Sequence, residues 1–319
     1  MSGSSRRFTV MRIAASAVIV LLALLPAAAF ASPTIPSYSW LRVPANFAHA
    51  MGGLTFTDPG DSVPTVHTYT NTLEAFEQNY DKGYRIFEVD LIPTADNRLV
   101  ARHDWSPSLY SALGESYPGH VPTHNQFMAT KVFGKYTPLD IERIVKLMRD
   151  HRDMYIITDT KLVDGPGIKN EFRLLRAAMG KDANDLCKRV IVQIYNEPMI
   201  YTVRGVYNFP NILYTLYQVR LTQSASSGAV RFARAHGLKV VTFDTKRYSQ
   251  SFVNEVRAAG LAPAVNTIDS ASTSKSMRDG GVRFFYSNSL PPRPYWQVTF
   301  GTPLVTPLSP RAIPFMEDD

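Results

Sequence analysis

From residue 46 to residue 288 the chain alternates two apolar patterns. Short runs rich in β-branched residues recur as NFAHA (46–50), IFEVDL (86–91), LVARH (99–103), MYIITDT (154–160), VIVQIY (190–195), NILYTLY (211–217), LKVVTFD (238–244), APAVNTI (262–268) and VRFFYS (282–287). Between them stand segments with apolar residues three and four apart: TLEAFEQNYDKG (72–83), PLDIERIVKLMRDHR (138–152), IKNEFRLLRAAMG (168–180), SGAVRFARAHG (227–237) and SQSFVNEVRAAG (249–260). The first kind predicts strands and the second helices. Several helical segments end in glycine, which readily takes the left-handed conformation past a helix end. Repeated β-then-α units imply a parallel sheet. The length fits a single-domain α/β fold, a TIM-type (β/α)8 barrel, which uses about 250 residues. Nine strand candidates compete for eight barrel positions, so one of them lies outside the barrel.

The pattern breaks at three places. Residues 104–137 form a long connection with turn signals and the aromatics Tyr110, Tyr117, Phe127 and Phe133, and a loop of that length is expected to be a lid or binding element. After Asn288 the chain becomes Pro-rich, so 289–319 is expected to be an extended tail outside the barrel of residues 32–288. At the other end Arg6, Arg7 and Arg12 precede the run IAASAVIVLLALLPAAA and then Ala29-Phe30-Ala31. Basic start, apolar run and A-x-A site make residues 1–31 an export signal, cut after Ala31, and predict a secreted or periplasmic protein. The run is shorter than the roughly 20 residues of a membrane span, although a retained anchor stays open.

The signal changes how the charge is read. Of the formal net charge of +7, three charges belong to the signal arginines, leaving +4 on residues 32–319. A mildly basic protein suits a small anionic substrate or an anionic membrane surface, and no consecutive basic block points to nucleic acid. Cys187, the only cysteine, excludes an internal disulfide and makes a cysteine-based metal site untenable.

Strand faces locate the candidate chemistry. Side chains alternate along a strand, so Ile86, Glu88 and Asp90 share one face while Phe87, Val89 and Leu91 share the other. The apolar face is expected to pack under helices and the Ile-Glu-Asp face to enter the barrel, with both acids at its C-terminal mouth. MYIITDTK repeats the arrangement with Ile157, Asp159 and Lys161. Active sites of such barrels lie at that mouth, and three carboxylates converging there call for a hard divalent ion with oxygen ligands. The competing reading pairs these acids with the adjacent Arg85 and Arg102 as surface salt bridges. His67, His120 and His124 fall in expected loops, and His151 and His236 at helix ends, where an imidazolium favours the dipole.

HAMGG (49–53), TNTLEAF (70–76), FEVDL (87–91), VARHDW (100–105) and ITDTK (157–161) resemble, in order and spacing, the glycerophosphodiester phosphodiesterase family; VIVQIYN, AVNTIDS and GVRFFYSN extend the resemblance to residue 288. The resemblance implies an α/β barrel that cleaves phosphodiesters with Ca2+ or Mg2+. It implies Glu88, Asp90 and Asp159 as metal ligands, His49 and His103 as the acid/base pair, and Lys161 as a phosphate-binding cation. Arg102, Trp105 and Gln193 join Lys161 as expected substrate contacts, Arg102 or Lys131 standing in for a missing cation. The chain departs from the pattern where His-Arg is usual and His49-Ala50 stands, where Glu is usual and Asp159 stands, at Thr70 before Asn71, and at Tyr286-Ser287-Asn288. Three functions stay open: a glycerophosphodiester hydrolase yielding an alcohol and sn-glycerol 3-phosphate, a phospholipid-directed phosphodiesterase or lyase of the sphingomyelinase D-like branch, and a non-catalytic barrel binding cell-envelope polymers.

Overall fold

The runs that read as strands become strands where both of their faces can be covered. The computed structural model describes residues 38–42 and 46–292, all within the unit Ile35–Asp319. In chain order its strands are β1 (Asn46–Ala48), β2 (Leu54–Phe56), β3 (Thr65–His67), β4 (Ile86–Pro93), β5 (Leu99–Ala101), β6 (Tyr155–Thr160), β7 (Val190–Ile194), β8 (Asn211–Thr215), β9 (Val240–Asp244), β10 (Ala262–Asn266) and β11 (Phe284–Ser287). Its helices are α1 (Leu73–Asp81), α2 (Pro107–Ala112), α3 (His124–Ala129), α4 (Ile141–Asp150), α5 (Gly165–Met179), α6 (Ala183–Leu186), α7 (Glu197–Arg204), α8 (Gln223–Ala235), α9 (Gln250–Ala258) and α10 (Ala271–Asp279). The expected signal, residues 1–31, and the expected tail beyond Pro292 lie outside the described residues. Among those described, no helix is long and apolar enough to cross a membrane.

Eight parallel strands, β1, β4 and β6 to β11, close into a barrel, with β1 pairing β11 on one side and β4 on the other. The ninth candidate, LVARH, is β5: it runs antiparallel to the end of β4 and takes no place in the ring. The alternation is realised as expected. Ile86, Tyr155, Ile157, Ile191, Leu213 and Phe284 fill the barrel interior, whereas Phe87, Val89 and Leu91 join the layer under the helices. A short 3-10 turn at Ser39–Arg42 closes the floor: Trp40 is fully buried against Phe47 and Phe284, with ring centroids 6.0 and 5.7 Å away. Arg283 Nη2 fixes the plug by donating to the Leu41 carbonyl at 2.6 Å.

The helices begin where side-chain oxygens can satisfy their free amides. Thr72, Asp140, Asp164, Asn196, Thr222, Ser249 and Ser270 each cap the helix that follows. Gly83 and Gly260, past α1 and α9, take φ of 98° and 77°. Glu171 on α5 is an exception to the apolar inner layer: it is buried with neither carboxylate oxygen hydrogen-bonded.

The 104–137 connection is more ordered than its turn signals suggest, for it contains α2 and α3. Its aromatics face inward: Trp105 and Phe127 pack with Ile92 and Val100, and Phe133 packs with Leu109, Leu113 and Val132. Only Tyr117 of the set is exposed, edge-on to Tyr110. The polar stretch 54–67 forms the β2–β3 hairpin, which the sequence pattern does not reveal. His67 is stacked on Phe56 and paired with Asp58 at 3.0 Å, and His124, at the start of α3 rather than in a loop, is paired with Asp140 at 2.9 Å.

Candidate active site

Parallel register brings the acids together. In the β4–β6 pair Asp90 lies opposite Asp159, and Glu88 opposite Ile157, so all three carboxylates enter the mouth from adjacent strands. One oxygen from each lies within 4.8 Å of the others, and all three residues are buried. Neither Arg85 nor Arg102 neutralises them: Arg85 pairs with Asp153 at 2.6 Å and Arg102 with Glu115 at 2.7 Å. The surface salt-bridge reading of these acids therefore fails.

Lys161 is the cation of the cluster. Its Nζ lies 2.6 Å from Asp90 Oδ1 and also pairs with Asp159 Oδ2. Asp90 Oδ2 accepts from Asn71 Nδ2 at 2.8 Å, and Glu88 Oε2 accepts from the Ala50 amide at 2.6 Å. Asp159 Oδ1 accepts from Gln193 Nε2 at 3.0 Å, Tyr217 OH at 3.0 Å and Tyr195 OH. Glu88 Oε1 is buried with no hydrogen-bond partner. Burial first, then the neighbouring Asp90 and Asp159, push the Glu88 carboxyl well above the usual carboxylate range. Asp90 goes the other way: burial would raise it, but Lys161, His49 and His103 together hold it below its ordinary value.

Three carboxylates facing one ammonium leave the cluster short of positive charge, and an unpaired buried acceptor is costly. The bare Glu88 oxygen and an all-oxygen donor set fit a hard divalent cation. Glu88, Asp90 and Asp159 are the residues that could hold it.

The two histidines reach the same mouth from different segments. His49 follows β1, and its Nδ1 lies 3.0 Å from Asn288 Oδ1. Asn288 Nδ2 donates to Asp269 at 2.8 Å, which turns the amide oxygen toward His49. His49 therefore carries its proton on Nδ1 and presents Nε2. His103 follows β5 and has the same arrangement, its Nδ1 2.7 Å from Asp104 Oδ2. Burial works against the Asp104 carboxylate, but hydrogen bonds from Ser106 and His103 hold it below its usual range. Between the imidazoles stands Tyr69, edge-on to both, its centroid 4.9 Å from His49 and 5.0 Å from His103.

Two expected substrate contacts are placed otherwise. Arg102 has a side chain 3% exposed, lies over the Tyr110 ring at 4.2 Å and is tied to Glu115 and the Asp104 carbonyl, so it anchors the loop. Trp105 packs edge-on to Phe127 inside that same loop. Lys131 donates to Thr137 Oγ1 on the exposed side of the connection. Gln193 does reach the mouth, held by Tyr286 OH at 2.7 Å and donating to Asp159. Sequence reasoning missed Tyr69, Asn71, Tyr195, Tyr217 and Asn288. Of these, Tyr195 and Tyr217 carried a signal, since they fall two residues beyond Gln193 and Thr215 on inward strand faces.

The comparisons agree with this geometry. No protein of curated function matches the chain. Among solved structures it is similar to a glycerophosphodiester phosphodiesterase from Parabacteroides distasonis, at 20% identity and TM-score 0.58, covering 77% of this chain and 93% of that one. It is also similar to an Oleispira antarctica phosphodiesterase in complex with the product sn-glycerol-3-phosphate, at 12% identity and TM-score 0.57, covering 79% and 95%. A glycerophosphodiester phosphodiesterase from Agrobacterium tumefaciens shares 14% identity at TM-score 0.54, covering 77% and 95%. At such identities the likeness establishes the fold. The model of the glycerophosphoryl diester phosphodiesterase family matches residues 60–289. With that match spanning most of the barrel, the chain belongs to the glycerophosphoryl diester phosphodiesterase family of phosphodiester hydrolases.

Proposed function

We propose that the protein hydrolyses small glycerophosphodiesters to an alcohol and sn-glycerol 3-phosphate, with Ca2+ or Mg2+ held by Glu88, Asp90 and Asp159. The observation that carries this reading is the buried, unpartnered Glu88 Oε1 within a three-carboxylate cluster that has a single ammonium. When bound, the ion would neutralise the acids and polarise the phosphoryl oxygens. Lys161 adds a second positive charge beside them. The Oleispira antarctica protein, which holds sn-glycerol-3-phosphate, supports the glycerol half of the assignment.

His49 and His103 divide the proton transfers through their Nε2 atoms. One accepts the proton of the glycerol 2-hydroxyl as that oxygen attacks phosphorus, and the other, protonated, donates to the departing alkoxide. Water then opens the cyclic phosphate with the roles reversed. Asn288 and Asp104 hold the two rings in the tautomer this exchange requires. The basic start, apolar run and A-x-A site support export and removal of residues 1–31, so that the mature chain starts at residue 32.

The test uses residues 32–319 on glycerophosphodiesters with Ca2+, with Mg2+ and with EDTA. Turnover is expected with an ion and not with EDTA. Glu88→Gln and Asp159→Asn should each weaken ion binding at least about tenfold by calorimetry, a change of about 1.4 kcal/mol. Undiminished turnover in EDTA, or unchanged ion affinity in both variants, would refute the metal assignment.

A further inference from the structure

We infer that Tyr69 is a positioning residue: its ring is the wedge that sets the orientation and separation of His49 and His103. The inference rests on the proposed roles of these histidines. Tyr69 itself is held under strain. The residue takes φ of 58°, in the left-handed region, where a bulky non-glycine side chain is a genuine outlier. Such strain persists only where the surroundings impose it, and it gathers at functional sites.

The strain is shared across the two segments that carry this side of the site. Ala50 and Met51 follow His49 with φ of 50° and 69°, and Asn71 has φ of 47°. The Asn71 amide joins the segments by donating to the Ala50 carbonyl at 3.3 Å. The Asn71 side chain then fastens the loop to Asp90, donating to its carboxylate and accepting from its amide at 3.3 Å. Tyr69 is thus carried two residues before an asparagine that is clamped to the Ala50 carbonyl and to Asp90 of the acid cluster.

Burial does not explain the tyrosine. It is 37% exposed, so the strained conformation is not compensated by placing a ring in the core. Its hydroxyl makes no hydrogen bond among the described residues. Its ring contacts are the two imidazoles, met at interplanar angles of 79° and 78°. Edge-to-face geometry sets a hydrogen-rich edge against a π face and is orientation-dependent. One phenol ring touching both histidines prevents either from turning into the other's space.

The experiment compares Tyr69→Leu and Tyr69→Phe in the calcium-loaded protein. It reads kcat, KM and the pH–rate profile on a soluble glycerophosphodiester, the imidazole nitrogen resonances by NMR, and calcium affinity. Tyr69→Leu is expected to lower kcat by about 10- to 100-fold, the scale for a misplaced catalytic group. It should displace a limb of the profile and move both imidazole signals, with calcium affinity unchanged. Tyr69→Phe keeps the ring and should restore both signals and most of kcat. Imidazole signals unmoved in Tyr69→Leu would overturn the inference, as would a Tyr69→Phe variant as impaired as Tyr69→Leu, which would assign the hydroxyl to substrate instead. If the signals move but His49→Ala and His103→Ala stay active, the proposed acid/base roles fail and the wedge is structural only.

Discussion

Replacing Glu171 by Gln should make the protein more stable, and increasingly so as pH rises. Glu171 is 1% exposed on the inner side of α5, and neither oxygen has a well-aligned donor, although the Leu162 main chain lies near. Burial, only partly offset by that main chain, pushes its carboxyl up from 4.5 to about 9. Between those values the unfolded chain has released a proton that the native state retains, so stability falls as pH rises. The contribution is intact below pH 4.5 and is lost progressively toward about 9. Each pH unit in that window is worth about 1.4 kcal/mol, so the retained proton weighs about 3 kcal/mol against the fold at pH 7. Glutamine has the same shape and never ionises, which removes the penalty. At about 2–4 °C per kcal/mol for a large domain, the variant should melt about 6–12 °C higher at pH 7. The assay is a set of paired thermal melts at pH 5, 7 and 8.5 in one fixed calcium concentration. The gap should be small at pH 5 and widest at pH 8.5. A gap of the same size at all three values, or a less stable variant throughout, would refute the reasoning.

Two further outcomes concern the long connection. Glu115→Ala strands the buried Arg102 guanidinium and should cost about 3–5 kcal/mol in chemical denaturation, with part of the loss recovered in Arg102→Met/Glu115→Ala; a single variant as stable as the parent would contradict the anchor. Trp105→Ala should lower stability by about 1–3 kcal/mol while changing KM for a choline diester and for an unsubstituted glycerol diester alike. A selective rise for the choline substrate would show that Trp105 reads the head group after all.

The sequence made the acid cluster legible because strand parity is rigid. Once IFEVDL is a strand, Glu88 and Asp90 must face the same way as Ile86, and the same rule places Asp159 with Ile157. Parity does not give direction, so LVARH looked like any other strand until its antiparallel pairing with β4 removed it from the ring. Nor does it choose partners: Arg102 lies beside His103 in sequence, but Glu115, thirteen residues on, decides where its guanidinium goes. Tyr69 was the hardest to see, since left-handed backbone at a tyrosine has no local signature. It arises from tertiary clamps at Ala50 and Asp90 that no short window of sequence contains.

The floor plug has a consequence for the order of folding. β1 pairs with β4 through Ala48 and Phe87 alone, but with β11 along its whole length, and the plug is fastened by Arg283 and Phe284. The first strand thus depends on the last, across 242 residues between Leu41 and Arg283. Contacts of such long range close late because the loop entropy must be overcome first. An intermediate holding β4 and β6 could already bring Glu88, Asp90 and Asp159 together while β1 was still unpaired. His49, one residue past β1, and its partner Asn288, one past β11, would arrive only at closure, so completing the barrel and completing the proposed proton-transfer pair become the same event.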